Sequence, residues 1–344
     1  MKIKFGNILI SNTSKPLIVA EIGINHFGSL KKAKKIVDSL KKIGVKAVKV
    51  QIHIPEEEMS SVCKTIKPGN SQKNIYDIIK NNSLKLNEEY DLKKYIENKD
   101  LLYIATPFSY KAAEWLDKNN TKIIKIGSGE TNNIPFIKYV CSFKRPMIVS
   151  TGMNSLQTIK KTVEIINKYN IPHVLLHFVN LYPTNYKLIR FNRMLEMKKI
   201  FKKSIIGYSD HTIGNTIPVA ALALGAKVVE KHYVINKKIK GPDTECSMDY
   251  NEAKNLLQSA NHIYEAFSSN SKVLNQEEVT RRFAFHSVVS KQNITKGEKF
   301  TFKNLTTKRP GTGYWPAFKI YKLLGKKSKR SIKKDALIKK KDVI

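Results

Sequence analysis

The sequence predicts a parallel (β/α)8 TIM barrel followed by a small β-rich domain, an α/β protein in two parts. Three observations point there. Short apolar runs rich in β-branched residues alternate eight times with stretches of helical period, and parallel strands need such a crossover at every step. The runs end in polar functional groups, as barrel strands do on the face where chemistry is placed. The texture then changes near Arg282, leaving a tail too short to house a barrel-sized site. A doubly wound open sheet is the alternative architecture. At 344 residues the chain has room for a barrel of about 250 residues and a small domain besides.

In order, the runs are PLIVAEIGI (16–24), KAVKVQI (46–52), LLYIATPF (101–108), KIIKIGSGE (122–130), PMIVSTG (146–152), HVLLHFVN (173–180), SIIGYSDH (204–211) and KVVEKHYV (227–234). Between the first two, Leu30, Ala33, Val37 and Leu40 recur at helical spacing, with Ser29 as N-cap and Gly44 as stop. Comparable helices are expected over SLQTIKKTVEIINKY, IPVAALALG and NEAKNLLQSANHIYEAF, after the fifth, seventh and eighth runs. Segment 53–86 interrupts the rhythm, and an insertion of that length beside a barrel is commonly functional. The expected boundaries are 1–268 for the barrel, 269–281 for a polar linker and 282–344 for the small domain. Within that domain ITKGEKFTFKNL (294–305) is echoed by IKKDALIKKKDV (332–343). The echo aligns Ile294 with Ile332 and Phe300 with Ile338, as in a domain built on two similar turns.

Composition narrows the function class. A formal charge of +34 invites a nucleic-acid reading. Yet only seven of the 62 basic residues are arginine, the side chain suited to bidentate base and phosphate contacts. The lysines are spread along every helix, apart from the C-terminal GKKSKRSIKKDALIKKK. No nucleic-acid partner is expected; the positive field would steer an anionic small substrate instead. Three scattered cysteines (Cys63, Cys141, Cys246) give neither a disulfide framework nor a zinc spacing. No apolar run reaches membrane-spanning length, and MKIKFGNILI lacks an apolar signal core. A soluble, cytoplasmic protein with no membrane partner is expected.

The run ends carry the chemistry. Glu21 closes the first run, and Lys49 and Gln51 share one face of the second. Thr106 and Phe108 end the third; Lys125, Ser128 and Glu130 follow on the fourth; Asn180 and Tyr182 end the sixth. The seventh gives Ser209, Asp210 and His211, and the eighth Glu230 and His232. Singly, each has a structural explanation: GSG makes a tight turn, and a strand histidine is often a hydrogen-bonded core residue. Jointly they say more. Two lysines inside apolar strands cost desolvation unless an anion meets them, so a bound phosphate or carboxylate is expected, with Ser128 and Ser209 as further donors. His211 and His232 sit at matching depth on consecutive runs, which puts two imidazoles on neighbouring staves. Such a pair can share one metal and leave positions open for water and a substrate oxygen. Asp210, Glu230 and Asp243 are candidate carboxylates to orient those ligands. Two unrelated core histidines are the alternative.

The strings EIGINHFGS, PFS, KIGSGE, STGMNS, GYSDHT, EKHY and GPDTECSM together resemble the sialic acid synthase family. KRPGTG and LLGKK resemble the antifreeze-like SAF domain, a β-clip, attached to those enzymes, so the resemblance runs from about Pro16 onward. It implies condensation of phosphoenolpyruvate with N-acetylmannosamine to N-acetylneuraminate and phosphate. It also implies a divalent metal cofactor, typically Mn2+, with Mg2+ or Co2+ as alternatives. Related members make legionaminic or pseudaminic acid from other acetamido-sugars. By resemblance Lys49, Lys125, Ser128, Asn180 and Ser209 would hold phosphoenolpyruvate, with Thr106 and Glu130 also in the substrate site. His211 and His232 would hold the metal, Gln51, Tyr182 and Asp243 would contact sugar hydroxyls, and Glu21 or Glu230 would activate water. Arg309 of KRPGTG would enter the barrel mouth of a partner subunit and meet the sugar's N-acetyl group, which implies a homodimer with swapped small domains. KVQIH and EKHY depart from the family pattern beside these residues. More distant readings are a barrel aldolase that uses no phosphoenolpyruvate and a non-enzymatic polyanion-binding protein.

Overall fold

The computed structural model describes residues 2–69, 71–239, 241–268 and 272–344. They form two compact units, 1–268 and 269–344.

The first unit opens with a hairpin, β1 (Lys2–Phe5) and β2 (Ile8–Ser11). Eight parallel strands then close into a barrel: β3 (Leu17–Glu21), β4 (Ala47–Ile52), β5 (Leu102–Pro107), β6 (Ile124–Ile126), β7 (Met147–Ser150), β8 (His173–His177), β9 (Ile205–Asp210) and β10 (Val228–His232). Closure is made by β10 against β3, with Val228 opposite Leu17 and His232 opposite Glu21. The barrel is therefore the architecture, not the open sheet. Helix α1 (Leu30–Ile43) connects β3 to β4; the Ser29 side chain accepts the Lys32 N–H, and Gly44 ends the helix at φ 93°. Segment 53–86 folds as α2 (Pro55–Glu58), a 3-10 turn and α3 (Ile75–Asn82), followed by α4 (Leu86–Glu97). The remaining crossovers use α5 (Tyr110–Lys118), α6 (Ile134–Ser142), α7 (Leu156–Lys168), α8 (Phe191–Ile200) and α9 (Thr216–Ala223), and α10 (Tyr250–Ser268) follows β10.

Alternation along each strand sorts residues into two populations. One set, including Ile18, Ala20, Val48, Val50, Ile206 and Val229, packs outward against the helices. The other set points into the barrel, and its lower layers are apolar: Leu17, Val19, Ala47, Ile104, Ile148 and Val228 among them. The hairpin, which the run pattern does not announce, adds Ile3, Phe5 and Ile10 to this inner cluster, each a burial worth about 1.5–3 kcal/mol. Packing inside leaves no slack at Gly207, where a Cβ would lie 2.3 Å from the Val228 carbonyl oxygen. Two residues further along the same inward rows, aliphatic side chains give way to Glu21, Lys49, Thr106, Lys125, Ser209 and Glu230. The site begins there.

In the second unit, α11 (Glu278–Ala284) runs across the 281/282 boundary expected from composition, and part of the expected linker, 269–271, lies outside the described residues. Strands β11 (Ser287–Ser290) and β12 (Leu305–Lys308) pair antiparallel. The two halves of the internal echo meet: Ile294 and Ile332 exchange backbone hydrogen bonds of 2.8 Å, and Phe300 and Ile338 share their apolar cluster.

Candidate active site

Four buried charges form the floor of the barrel mouth. Lys49 pairs with Glu21 and lies 3.5 Å from Glu230. Lys125 donates to the same Glu230 Oε1 at 3.3 Å, and Ser209 Oγ donates to it at 3.1 Å. Thr106 Oγ1 accepts from Lys49 at 3.4 Å. The lysines are thus met by protein carboxylates, so their burial by itself does not require the bound anion expected from sequence. Burial pushes Glu21 up despite Lys49. It would do the same to Glu230, but Lys125 and Lys49 outweigh it and hold that carboxyl at about 2. Burial lowers Lys125 to about 8, while the two glutamates outweigh the same effect on Lys49 and raise it.

One step above lie the histidines. The β9–β10 register sets Ser209 beside Glu230, which brings His211 beside His232 with ring centroids 5.1 Å apart. The Tyr182 ring lies tilted at 43° against His211, with centroids 3.9 Å apart. The Nδ1 atoms of both histidines are buried and make no hydrogen bond. Burial, reinforced by His232, lowers His211 well below the usual imidazole range, and burial with Lys49 takes His232 to about 3. Both rings therefore keep a lone pair for a ligand at neutral pH. The Asp243 carboxylate lies 3.7 Å from His232 Nδ1, and burial next to Glu21 raises it to about 7. Among the described residues no group of three or more His, Cys, Asp or Glu side chains is arranged to hold a metal. Two neutral imidazoles with orphaned nitrogens do fit an open metal position.

Asp210 corrects an expectation. Ser209 and His211 point into the barrel, so Asp210 points out, where it is held by Lys231, by Tyr208 Oη at 3.2 Å and by Thr212 Oγ1 at 3.0 Å. It does not orient the imidazoles. On the other side of the mouth Ser128 Oγ and Asn180 Oδ1 are buried without partners and converge on Gly152. A Cβ on Gly152 would lie 2.1 Å from Asn180 Oδ1 and 3.0 Å from Ser128 Oγ, so only glycine leaves this corner open.

Above this floor opens a cavity of about 880 Å3. Gln51, Glu130, Asn180, Tyr182, His232 and Asp243 line it, while Glu21, Lys49, Thr106, Lys125, Ser128, Ser209, His211 and Glu230 are buried and are not among its lining residues. Burial raises the Glu130 carboxyl. Run-end reasoning missed His53 and Glu58. His53 stacks on Phe108 at 4.3 Å, contacts both Glu58 oxygens at 3.0 Å through Nδ1, and reaches Gln51 Oε1 at 3.0 Å through Nε2. The unusual length of segment 53–86 was the available signal. Arg309 is exposed in the second unit, on a loop where Ser287 Oγ donates to the Pro310 carbonyl and the Gly313 N–H donates back to Ser287 Oγ.

The NeuB family model matches residues 36–272, and the SAF domain model matches 285–344. The N,N'-diacetyllegionaminic acid synthase of Campylobacter jejuni is 32% identical over 94% of this chain and 99% of its own length. The human N-acetylneuraminate-9-phosphate synthase is also 32% identical, over 93% of this chain and 90% of its own. The crystal structure of N-acetylneuraminic acid synthetase from Leptospira borgpetersenii serovar Hardjo-bovis in complex with citrate superposes with a TM-score of 0.75 at 28% identity. It covers 81% of this chain and 95% of that one.

Proposed function

The chain belongs to the NeuB family, and on that premise we propose that it condenses phosphoenolpyruvate with an acetamido-sugar aldehyde of the N-acetylmannosamine type. The products are a sialic-type acid, N-acetylneuraminate or a legionaminate or pseudaminate relative, and phosphate. One observation carries the reading: two lysines and two glutamates buried beneath a pair of neutral, unsatisfied imidazoles at the mouth of a barrel.

Phosphoenolpyruvate supplies a carboxylate and a phosphate, the two anionic ends that Lys49 and Lys125 are placed to take. Ser128, Asn180 and Ser209 add polar contacts, with Thr106 holding the Lys49 ammonium. The sugar lies above, against Gln51, Glu130, Tyr182 and Asp243. His211 and His232 would hold a divalent ion, Mn2+ by preference and Mg2+ or Co2+ otherwise, which supplies Lewis-acid polarisation of the aldehyde oxygen. C3 of phosphoenolpyruvate forms the new bond to the aldehyde carbon while the C=O π pair passes to the aldehyde oxygen, which takes up a proton. Water adds at C2, and the bond from C2 to the phosphate oxygen breaks as phosphate leaves and the C2 carbonyl forms. The proton from that water goes to Glu21 or Glu230. Glu230 is a poor base while Lys125 and Lys49 hold it at about 2; lysines turned toward substrate anions give its basicity back. Arg309, presented by the SAF loop, completes the mouth of a partner's barrel in a swapped homodimer. No described helix is long and apolar enough to cross a membrane, and three free cysteines suit the cytoplasm. The test is phosphate release from phosphoenolpyruvate with Mn2+ and a panel of acetamido-sugars. Release that needs no sugar, or none with any sugar, removes the reading.

A further inference from the structure

We infer that His53, held by Glu58 and Phe108, is a positioning residue that fixes the Gln51 side chain as a hydrogen-bond donor to the sugar. The inference rests on the synthase reading above and adds two residues to its machinery.

Register brings the group together. Gln51 on β4 lies opposite Thr106 on β5, and two residues further along each chain come His53 and Phe108. Their rings stack at 4.3 Å with planes 10° apart, which fixes the imidazole's plane. Pro55 then starts α2, and Glu58 at the end of that short helix turns back to the ring. His53 Nδ1 lies 3.0 Å from both Glu58 oxygens, and Nε2 lies 3.0 Å from Gln51 Oε1. Each ring nitrogen thus faces oxygen. Two such contacts need two hydrogens, and the His53–Glu58 pair carries both at zero net charge: one on Nε2, the other between Nδ1 and the carboxyl. Gln51 Oε1 is therefore the accepting end of its amide. The N–H2 end is left over: it makes no hydrogen bond among the described residues, and Gln51 lines the 880 Å3 cavity. A sugar's hydroxyl and carbonyl oxygens accept, and this amide meets them as a donor. An amide free to turn over would present either end, so the ring removes one orientation before the sugar arrives.

Gln51→Glu keeps the bond to His53 and changes only the free end, from donor to acceptor. With the full chain, phosphoenolpyruvate, Mn2+ and the best acceptor among acetamido-sugars, it should raise the sugar's KM about tenfold and leave phosphoenolpyruvate's KM in place. His53→Phe keeps a ring on Phe108 but frees the amide, and should raise the same KM about fivefold. His53→Asn, whose amide stands in for Nδ1 and not Nε2, should do likewise. His53→Gln, whose amide stands in for Nε2, should stay within about twofold of the native value. The signature of positioning is that His53→Phe changes nothing further once Gln51 is alanine; a ring that merely packs the wall costs the same in both backgrounds. An unchanged sugar KM in Gln51→Glu, or equal His53→Phe losses in the two backgrounds, overturns the inference and leaves the synthase reading standing. A native chain that releases no phosphate with any sugar removes both.

Discussion

Replacing Lys231 with methionine tests how the outer face of β9 and β10 holds the strand ends that carry the histidines. Lys231 and Asp210 are both 0% exposed and paired, and Lys231 also donates to the Thr212 carbonyl. Methionine keeps most of the stem and deletes the charge. Asp210 is then left with the Tyr208 and Thr212 hydroxyls alone, in a place where burial already pushes its carboxyl up. Stranding one partner of a buried pair costs about 3–5 kcal/mol. The chain has two tryptophans, Trp115 in the barrel unit and Trp315 in the other, so a Trp315→Phe background lets fluorescence follow barrel unfolding in urea. The expected result is an unfolding free energy lower by about 3–5 kcal/mol for Lys231→Met. More than half should return when Asp210→Asn is added, because a neutral amide needs no counter-ion. A loss below about 1 kcal/mol, the range of ordinary surface changes, would refute the reasoning. So would a double variant no more stable than the single one.

Lys125→Met should lower kcat/KM at least tenfold, a loss of about 1.4 kcal/mol; unchanged kinetics would remove Lys125 from the site. Chelation should abolish synthesis and Mn2+ restore it, and Mn2+ binding followed by electron paramagnetic resonance should vanish in His211→Ala, His232→Ala. Glu89, buried on α4 with an unbonded Oε2, is raised by burial to about 8 from 4.5. Its neutral form is the folded-state form, so its contribution is complete below about pH 4.5 and is lost as pH rises through about 8. Relative to Glu89→Gln, the native chain should lose a few kcal/mol of stability between pH 5 and pH 9, at about 1.36 per unit, measured by urea unfolding; parallel pH profiles would contradict this. Mixing inactive His232→Ala chains with inactive Arg309→Ala chains should restore activity if Arg309 acts across a dimer. A dead mixture in which mixed dimers form denies that role.

The barrel was legible because parallel strands covered on both faces must read as apolar runs, and the runs were unbroken enough to count. The adjacency of His211 and His232 was legible from depth alone, since in-register parallel neighbours carry equivalent positions side by side. Asp210 was misassigned by reading YSDH as a single group. Strand alternation sends its middle carboxylate to the helix layer, where Lys231, a residue the run-end reading passed over, was waiting for it. Lys49 and Lys125 were read as awaiting an anion because sequence shows that lysines are buried without showing what faces them across a barrel. Glu230 lies 105 residues from Lys125, a separation no local pattern reports. His53 and Glu58 were hidden for a related reason: their roles come from an insertion folding back over the mouth, which periodicity does not describe.

The closed set of two lysines and two glutamates sums to zero, and that balance works as a test of valence. A small ion with one negative group can draw off one lysine only, and Glu230, which lies 3.5 Å from Lys49 and 3.3 Å from Lys125, is still held by the other. A ligand with two anionic ends can exchange both partners together and leave each glutamate free to accept a proton. On the proposed function, such an exchange would favour a dianion over the chloride, acetate and similar monovalent ions that a strongly basic surface gathers. The same exchange would tie the arrival of a divalent guest to the moment at which the resident carboxylates become bases.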